Sequence, residues 1–244
     1  MEAIKTTELR KEYKDTVAVK SLNLEVHEGE LFSLLGVNGA GKTTTVKMLT
    51  GLSKPTAGDA LICGFSVVRE LDRIKPLVDV SMQETAVARN LTVEENIDFC
   101  AALAGKSKSV VAEVKKNLYD IFGFESIKNK RAAKLSGGWQ RKLSIALALV
   151  SSPKVLFLDE PTLGLDVIAR RELWKLIRGL HGEMTIVLTT HYMEEAEALS
   201  DRLGVMKDGE LLFVGTIEQM YKKTGCSNVE DAFVKIVEGG DSLE

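Results

Sequence analysis

The chain has no surplus of basic charge: 32 Lys and Arg stand against 35 Asp and Glu in 244 residues, a net of −3. That balance argues against nucleic acid as the main partner, because nothing is left over to neutralise a phosphate backbone. A long apolar run is also missing. The longest uncharged stretches, Leu31–Gly41 and Leu143–Pro153, hold 11 residues each, against about 20 for a membrane-crossing helix. Met1 to Arg10 has no apolar core of the kind a secretory leader carries, so a cytoplasmic location is expected. Cysteine is scarce: Cys63, Cys100 and Cys226 are odd in number and widely spaced. They form neither a disulfide framework nor a metal motif, and reduced structural thiols are expected. Neither an internal repeat nor a low-complexity linker is evident.

What is present is an ordinary globular composition, 45% apolar and 27% charged, long enough for one large domain or two intimate lobes. The most informative stretch is Leu31–Gly51. An apolar run, Leu31–Leu35, reads as a buried strand, and Lys42–Thr50 reads as a helix with Val46 and Leu49 on one face and Gly51 placed to end it. Between them, Gly36-Val-Asn-Gly-Ala-Gly41-Lys42-Thr43 fits the phosphate-loop pattern G-x-x-x-x-G-K-[ST]. Glycines let backbone N–H groups turn inward around an anion, and the helix start adds unpaired donors and the positive end of its dipole. Lys42 can reach outer phosphates, and the Thr43 hydroxyl can ligate Mg2+. The plainer reading is a glycine-rich turn, which the strand–loop–helix context disfavours.

Other stretches gain meaning beside that loop. Residues 1–30 read as antiparallel strands, and Tyr13 can stack on a base or, by position alone, pack half-buried. Ser53–Gly58 reads as a turn-rich loop, Leu61–Cys63 and Val78–Met82 as short strands, the latter delivering Gln83. Thr92 with Glu95 forms a capping box before a helix with a stripe of Ile97, Cys100 and Ala101. Val110–Phe122 reads as an amphipathic helix with Val111, Val114, Leu118 and Ile121 on one side. Residues 86–150 thus form a mainly helical lobe. Leu135-Ser-Gly-Gly-Trp-Gln140 opens the helical run Arg141–Val150, either an anion site or an ordinary cap. Val155–Leu158 reads as a buried strand ending in Asp159-Glu160; neighbours along a strand point to opposite sides, so one carboxylate can serve Mg2+ and the other a water. Asp166 is placed to cap the helix Val167–Leu180, and the strand Thr185–Thr190 ends at His191. A hairpin, Arg202–Lys207 with Leu211–Val214, and helices near Thr216–Lys223 and Val229–Val237 complete the chain.

Five motifs in one order resemble the ATP-binding subunit of an ATP-binding cassette (ABC) transporter: the phosphate loop, Gln83, LSGGWQ, VLFLDE and His191. The resemblance covers nearly the whole chain. It implies an α/β fold: a RecA-like P-loop NTPase core (residues 1–85 and 151–225), an antiparallel β subdomain, an inserted helical signature subdomain (86–150) and a C-terminal helix (226–244), all one ABC ATPase domain. It implies ATP and Mg2+ as cofactors. Tyr13 would stack on adenine, and Gly36, Asn38, Gly39, Gly41, Lys42, Thr43 and Thr44 would cradle the phosphates. Thr43, Gln83 and Asp159 would hold the metal, Glu160 would be the catalytic carboxylate, His191 the switch histidine and Gln83 a sensor of metal and water. Ser136, Gly137 and Gly138 would meet ATP bound to the opposite subunit, and Asp166 would lie in the D-loop among the nucleotide-binding residues. Implied partners are transmembrane permease subunits and a second copy, or a paralogous ATPase subunit, at the cytoplasmic face of the membrane. Trp139 stands where many members carry Gln, and the D-loop reads Leu-Gly-Leu-Asp rather than Ser-Ala-Leu-Asp. GVNGAGKTTT, PTLGLD, TTHYMEEAE and NVEDAFVKIV look most like the type-2 branch of drug, antibiotic and sodium exporters. An importer ATPase, a non-transport ABC ATPase and a non-hydrolysing nucleotide sensor are the alternatives; intact Lys42, Asp159, Glu160 and His191 argue against the last.

Overall fold

The computed structural model describes residues 1–239. Three strands open the chain, β1 (Glu2–Tyr13), β2 (Thr16–Leu22) and β3 (Glu25–His27), and β4 (Leu31–Gly36) runs into α1 (Lys42–Leu49). There follow β5 (Ala57–Ile62), β6 (Phe65–Ser66), α2 (Leu71–Ile74) and β7 (Val78–Ser81). Helices α3 (Val93–Leu103), α4 (Lys108–Phe122) and α5 (Gly137–Leu149) come next, then β8 (Val155–Asp159), α6 (Val167–Gly179), β9 (Thr185–Thr190) and α7 (Met193–Leu199). The hairpin β10 (Arg202–Lys207) and β11 (Glu210–Gly215) leads to α8 (Ile217–Thr224) and α9 (Val229–Glu238).

Two sheets result. The first is antiparallel, β2-β1-β5-β6, with β3 also paired to β1. The second runs β11-β10-β4-β9-β8-β7, parallel except for the edge strand β11. Its central strands β4, β8 and β9 are buried at every residue, which is why they read as unbroken apolar runs rather than alternating ones. One apolar cluster joins this sheet, through Leu156, Leu158, Ile186 and Leu188, to Leu143, Leu173 and Ile177 of the helices. A second fills the space between the sheets around Ile4, Val26, Phe32, Val46 and Phe157, and a third seats α7, α8 and α9 on the β10–β11 hairpin.

Capping fixes two helix starts as the sequence suggests, Thr92 with Glu95 closing a capping box and Asp166 capping α6, and the structure adds a second capping box, Thr216 with Gln219, at α8. Elsewhere the structure corrects the reading. β5 begins at Ala57, so Gly58 lies in a strand rather than a loop; β1 recruits the segment by pairing Arg10 with Ala57 and Thr7 with Asp59. Cys63 has left that strand and sits at φ 49°, in the turn to β6. On α4 the inward stripe ends on Phe122 and not on Ile121, which is 45% exposed, because Phe122 stacks on Phe124 at 5.4 Å. The short elements β6, α2 and α7 have no counterpart in the sequence reading. All three cysteines are free thiols. Of the segment expected as the C-terminal helix, residues 240–244 lie outside the described residues.

Candidate functional site

Strand register places the site. Leu35 pairs with Thr190, Asp159 with Thr189, and Ser81 with Leu158, so four neighbouring parallel strands end at one level. Ligand crevices in such sheets form beyond the carboxyl ends of the strands. Here those ends lead into the phosphate loop, Glu160, His191 and Gln83. Together with Tyr13, Asn38, Gly39, Gly41, Lys42, Thr43, Thr44 and Leu163 they line a cleft of about 570 Å³.

The loop can take no bulkier residue at two of its glycines. Gly41 adopts φ 105°, and a Cβ there would stand 2.5 Å from the Ala18 carbonyl; at Gly36 it would stand 2.4 Å from that of Met206. The loop closes on itself through Ala40 N–H to Val37 O at 3.2 Å, and the helix starts with Thr45 N–H to Gly41 O at 2.9 Å. Among the described residues, the N–H groups of Gly39, Gly41, Lys42, Thr43 and Thr44 meet no backbone acceptor. Converging unpaired donors at a helix start are chemistry that fits a polyphosphate.

The two carboxylates diverge. Asp159 is fully buried and accepts from the Thr43 hydroxyl at 3.0 Å and the Thr189 hydroxyl at 2.6 Å. No cationic side chain forms an ion pair with it among the described residues. A buried carboxylate without a counter-charge, sharing a hydroxyl with the phosphate loop, is a donor set that fits a hard divalent cation such as Mg2+. Glu160 takes a left-handed backbone conformation, φ 48°, which costs about 1–3 kcal/mol for a residue with a side chain. Its amide donates to the carbonyl and hydroxyl of Thr189, both at 3.1 Å. This turn aims the carboxylate at the cleft, where Oε1 lies 3.2 Å from Lys42 Nζ and Oε2 lies 2.7 Å from His191 Nδ1. As the carboxylate can only accept, Nδ1 carries the proton, leaving Nε2 as an acceptor or, once protonated, a donor.

Lys42 is 5% exposed and does not point into solvent. Its ammonium donates to Gly36 O at 2.7 Å and Val37 O at 3.2 Å while pairing with Glu160. Tyr13 is 45% exposed at the cleft mouth, with Lys11 Nζ 4.8 Å from its ring centre and its hydroxyl 3.4 Å from the Ser53 hydroxyl.

Six expected residues do not line this cleft: Gly36 and Asp159 are buried next to it, and Ser136, Gly137, Gly138 and Asp166 lie elsewhere. Ser136 caps α5, its hydroxyl accepting from Trp139 N–H at 3.5 Å, and Gly137 lines a second cleft with Gln140, Arg141 and Gly164. Gly138 lies against Ala169, and Asp166 Oδ1 accepts from Ile168 and Ala169 N–H at 2.9 Å. Trp139 turns away from the exposed Ser136–Gly137 edge. Its ring packs 6.1 Å from Phe124, with Lys142 Nζ 4.6 Å from its centre.

Two residues escaped the sequence reading. Arg141 is 3% exposed and donates to Met82 O and Glu160 O, each at 2.7 Å, so it ties the Gln83 segment to the Glu160 loop. Burial holds its guanidinium below its ordinary range, opposed by Asp159, Glu195 and Glu160. A cation on the apolar face of α5 was its only signal. Thr189, one more residue in a buried strand, had none.

Comparison with known proteins agrees with this geometry. The ABC transporter family matches residues 19–163. A human phospholipid-transporting ATPase, ABCA3, is 45% identical over 212 residues, covering 87% of this chain; the chain spans 12% of that relative's length. The solved structure of an ATP-binding subunit of an ABC transporter superposes with a TM-score of 0.85 at 25% identity, covering 96% of this chain and 99% of that one. A dimeric ATP-binding cassette in a post-hydrolysis state, bound to ADP and Pi, gives 0.79 at 27% identity, covering 88% and 98%. The chain therefore belongs to the ABC transporter family, as one of its ATPase domains.

Proposed function

We propose that the chain hydrolyses ATP between two copies of itself, or between itself and a paralogous subunit, to power a transmembrane permease at the cytoplasmic face of the membrane. The observation that carries the reading is the divided site. The phosphate loop, Gln83, Glu160 and His191 share one cleft, with Asp159 buried against the Thr43 hydroxyl of that loop, while Ser136, Gly137, Gly138 and Asp166 stand outside it. The latter group gains a ligand only from another chain. That a similar cassette is dimeric with ADP and Pi supports this arrangement.

The unpaired loop amides and Lys42 bind the phosphates, which requires the ammonium to exchange its carbonyl partners and Glu160 for phosphate oxygens. Tyr13 stacks on the base. Thr43, Asp159 and Gln83 are the residues that would hold Mg2+, which would supply charge neutralisation at the outer phosphates. Freed from Lys42, Glu160 accepts a proton from the attacking water, and the Glu160–His191 bond orients both side chains toward the terminal phosphate. ATP thereby bridges the two chains, and its hydrolysis releases them, which shifts the population between closed and open pairs. The division into an α/β core (1–85 and 151–225), a helical lobe (86–150) and a C-terminal segment (226–244) belongs to this reading: the helical lobe presents Ser136 to the partner.

Export by a type-2 transporter is the direction we favour, on the motif details GVNGAGKTTT, PTLGLD and TTHYMEEAE. The human relative is a phospholipid-transporting ATPase, which makes a lipid-like cargo the first to try. No helix among the described residues is long and apolar enough to cross a membrane, which suits a permease on a separate segment or chain. The test is co-purification from membranes, with the bound permease identified and ATP-driven transport measured in vesicles. Release of phosphate without any permease or transport refutes the transport part and keeps the hydrolase.

A further inference from the structure

Glu195 is, with Asp159, one of two carboxylates that the core buries completely with no ion-pair partner among the described residues. It lies in the first turn of α7, four residues beyond His191, and the mechanism above makes no use of it. Its Oε1 accepts from the Trp174 indole N–H of α6 at 3.0 Å. Its Oε2 is buried and has no hydrogen-bond partner, and so is the Thr162 hydroxyl. The hydroxyls of Thr190 and Thr162 lie beside the carboxyl group without closing a bond to Oε2. Thr190 immediately precedes His191, and Thr162 follows Glu160 by two residues. Thr190 Oγ1 also accepts from Tyr192 N–H at 2.9 Å, which shapes the turn that carries His191.

Resting on the hydrolase reading, the geometry points to Glu195 as a positioning residue, whose buried carboxyl group links the His191 turn, the Glu160–Thr162 loop and, through Trp174, the helix that begins at Asp166. Three elements that must hold their relative places for water activation meet at one side chain. A buried carboxyl group is well suited to this task when neutral, because it then donates one hydrogen bond and accepts others. Burial raises the Glu195 carboxyl above its ordinary range, and the Glu160 carboxylate that faces it from the β8 loop acts in the same direction. The Arg141 guanidinium faces it from α5, but Arg141 spends two of its donors on Met82 O and Glu160 O. The neutral acid can donate from Oε2 to a threonine hydroxyl and accept from Trp174 at Oε1. An ionised group could only accept. Arg170 and Glu194, which flank the same turn, pair with each other at 3.6 Å at its outer edge.

The test is steady-state ATP hydrolysis by the full chain carrying Glu195→Leu, Glu195→Gln or Trp174→Phe, with ATP binding and thermal melting measured in parallel. Leucine keeps the volume and removes both polar ends. Glutamine keeps one donor and one acceptor. Glu195→Leu is expected to lower kcat by about tenfold or more while KM for ATP stays within about threefold, because only the water-activating side is loosened. Glu195→Gln should restore kcat to within about threefold of the parent, and Trp174→Phe should fall between the two. A folded, ATP-binding Glu195→Leu chain with parental kcat overturns the proposal, and so does a glutamine variant as slow as the leucine one. If Glu195→Leu fails to fold, Trp174→Phe decides: a parental kcat there overturns it, and a reduced kcat with unchanged KM supports it. A parent chain that binds ATP and releases no phosphate refutes the hydrolase reading first, and this proposal with it.

Discussion

The phosphate-loop cleft and the signature edge are built to different standards within one molecule. In the cleft, Lys42, Asp159 and Glu160 are all at most 5% exposed, and each has two or more fixed partners. Strand ends in register hold them, so the geometry is set by the core. At the signature edge, Ser136 and Gly137 are exposed, and the Ser136 hydroxyl makes one long bond, at 3.5 Å, to its own helix. The first region is pre-organised for a ligand; the second is a capped helix start waiting for one. The difference is the one the proposed two-chain site requires: one half pre-formed in the core, the other half presented at the surface. Electrostatic catalysis depends on donors fixed in advance, so the buried half should carry the chemistry and the exposed half should carry the coupling between chains.

Substitutions can break that contrast, and the largest effect is expected in the buried half. Glu160→Gln removes the proton acceptor and keeps the shape; turnover should fall by about a thousandfold, with ATP binding retained. Phosphate release at saturating ATP checks the first part and equilibrium binding the second. Ser136→Arg should lower turnover by about a hundredfold, while a single chain still binds ATP as the parent does. Equal loss of binding would place Ser136 in its own chain's cleft and dissolve the contrast. Lys42→Ala should weaken ATP binding by about ten- to a hundredfold, since the phosphates lose a buried ammonium and Glu160 loses the ion-pair partner it has besides His191 among the described residues. Isothermal titration would show it.

Two milder variants sharpen the boundary. Tyr13→Ala should weaken binding by only about three- to tenfold, because the ring is half-exposed and contributes stacking alone. GTP and ATP should suffer alike. Trp139→Gln should leave turnover within about threefold and lower the melting temperature by a few degrees, on the order of 1–2 kcal/mol for a lost aromatic pair and cation contact. If turnover collapses instead, the Trp139 ring does more than pack against Phe124 and Lys142.

Much of this was legible in the sequence, and the exceptions share a cause. The phosphate loop, the Asp159-Glu160 strand end and the capped helices each depend on residues close together in the chain, so spacing exposes them. The continuous apolar runs of β4, β8 and β9 announce strands buried on both faces. What spacing could not reveal lies across the fold. Thr189 and Asp159 are joined by strand pairing, and Arg141 reaches Met82 and Glu160 from a different element. Ile121 lost its place to Phe122 because Phe124, beyond the helix end, offered a stacking partner. The helix α7 was masked by its three glutamates, of which Glu195 faces inward to Trp174. Local chemistry is written locally; side chains that serve another element's backbone are not.

The most direct test is the mass of the Glu160→Gln chain in solution with Mg2+ and ATP, read by sedimentation velocity beside the same chain with ADP. Two copies clasping ATP predict a species of twice 26.7 kDa with ATP and a single copy with ADP. A chain that binds ATP tightly and stays a single copy, alone and with its permease supplied, contradicts the divided site.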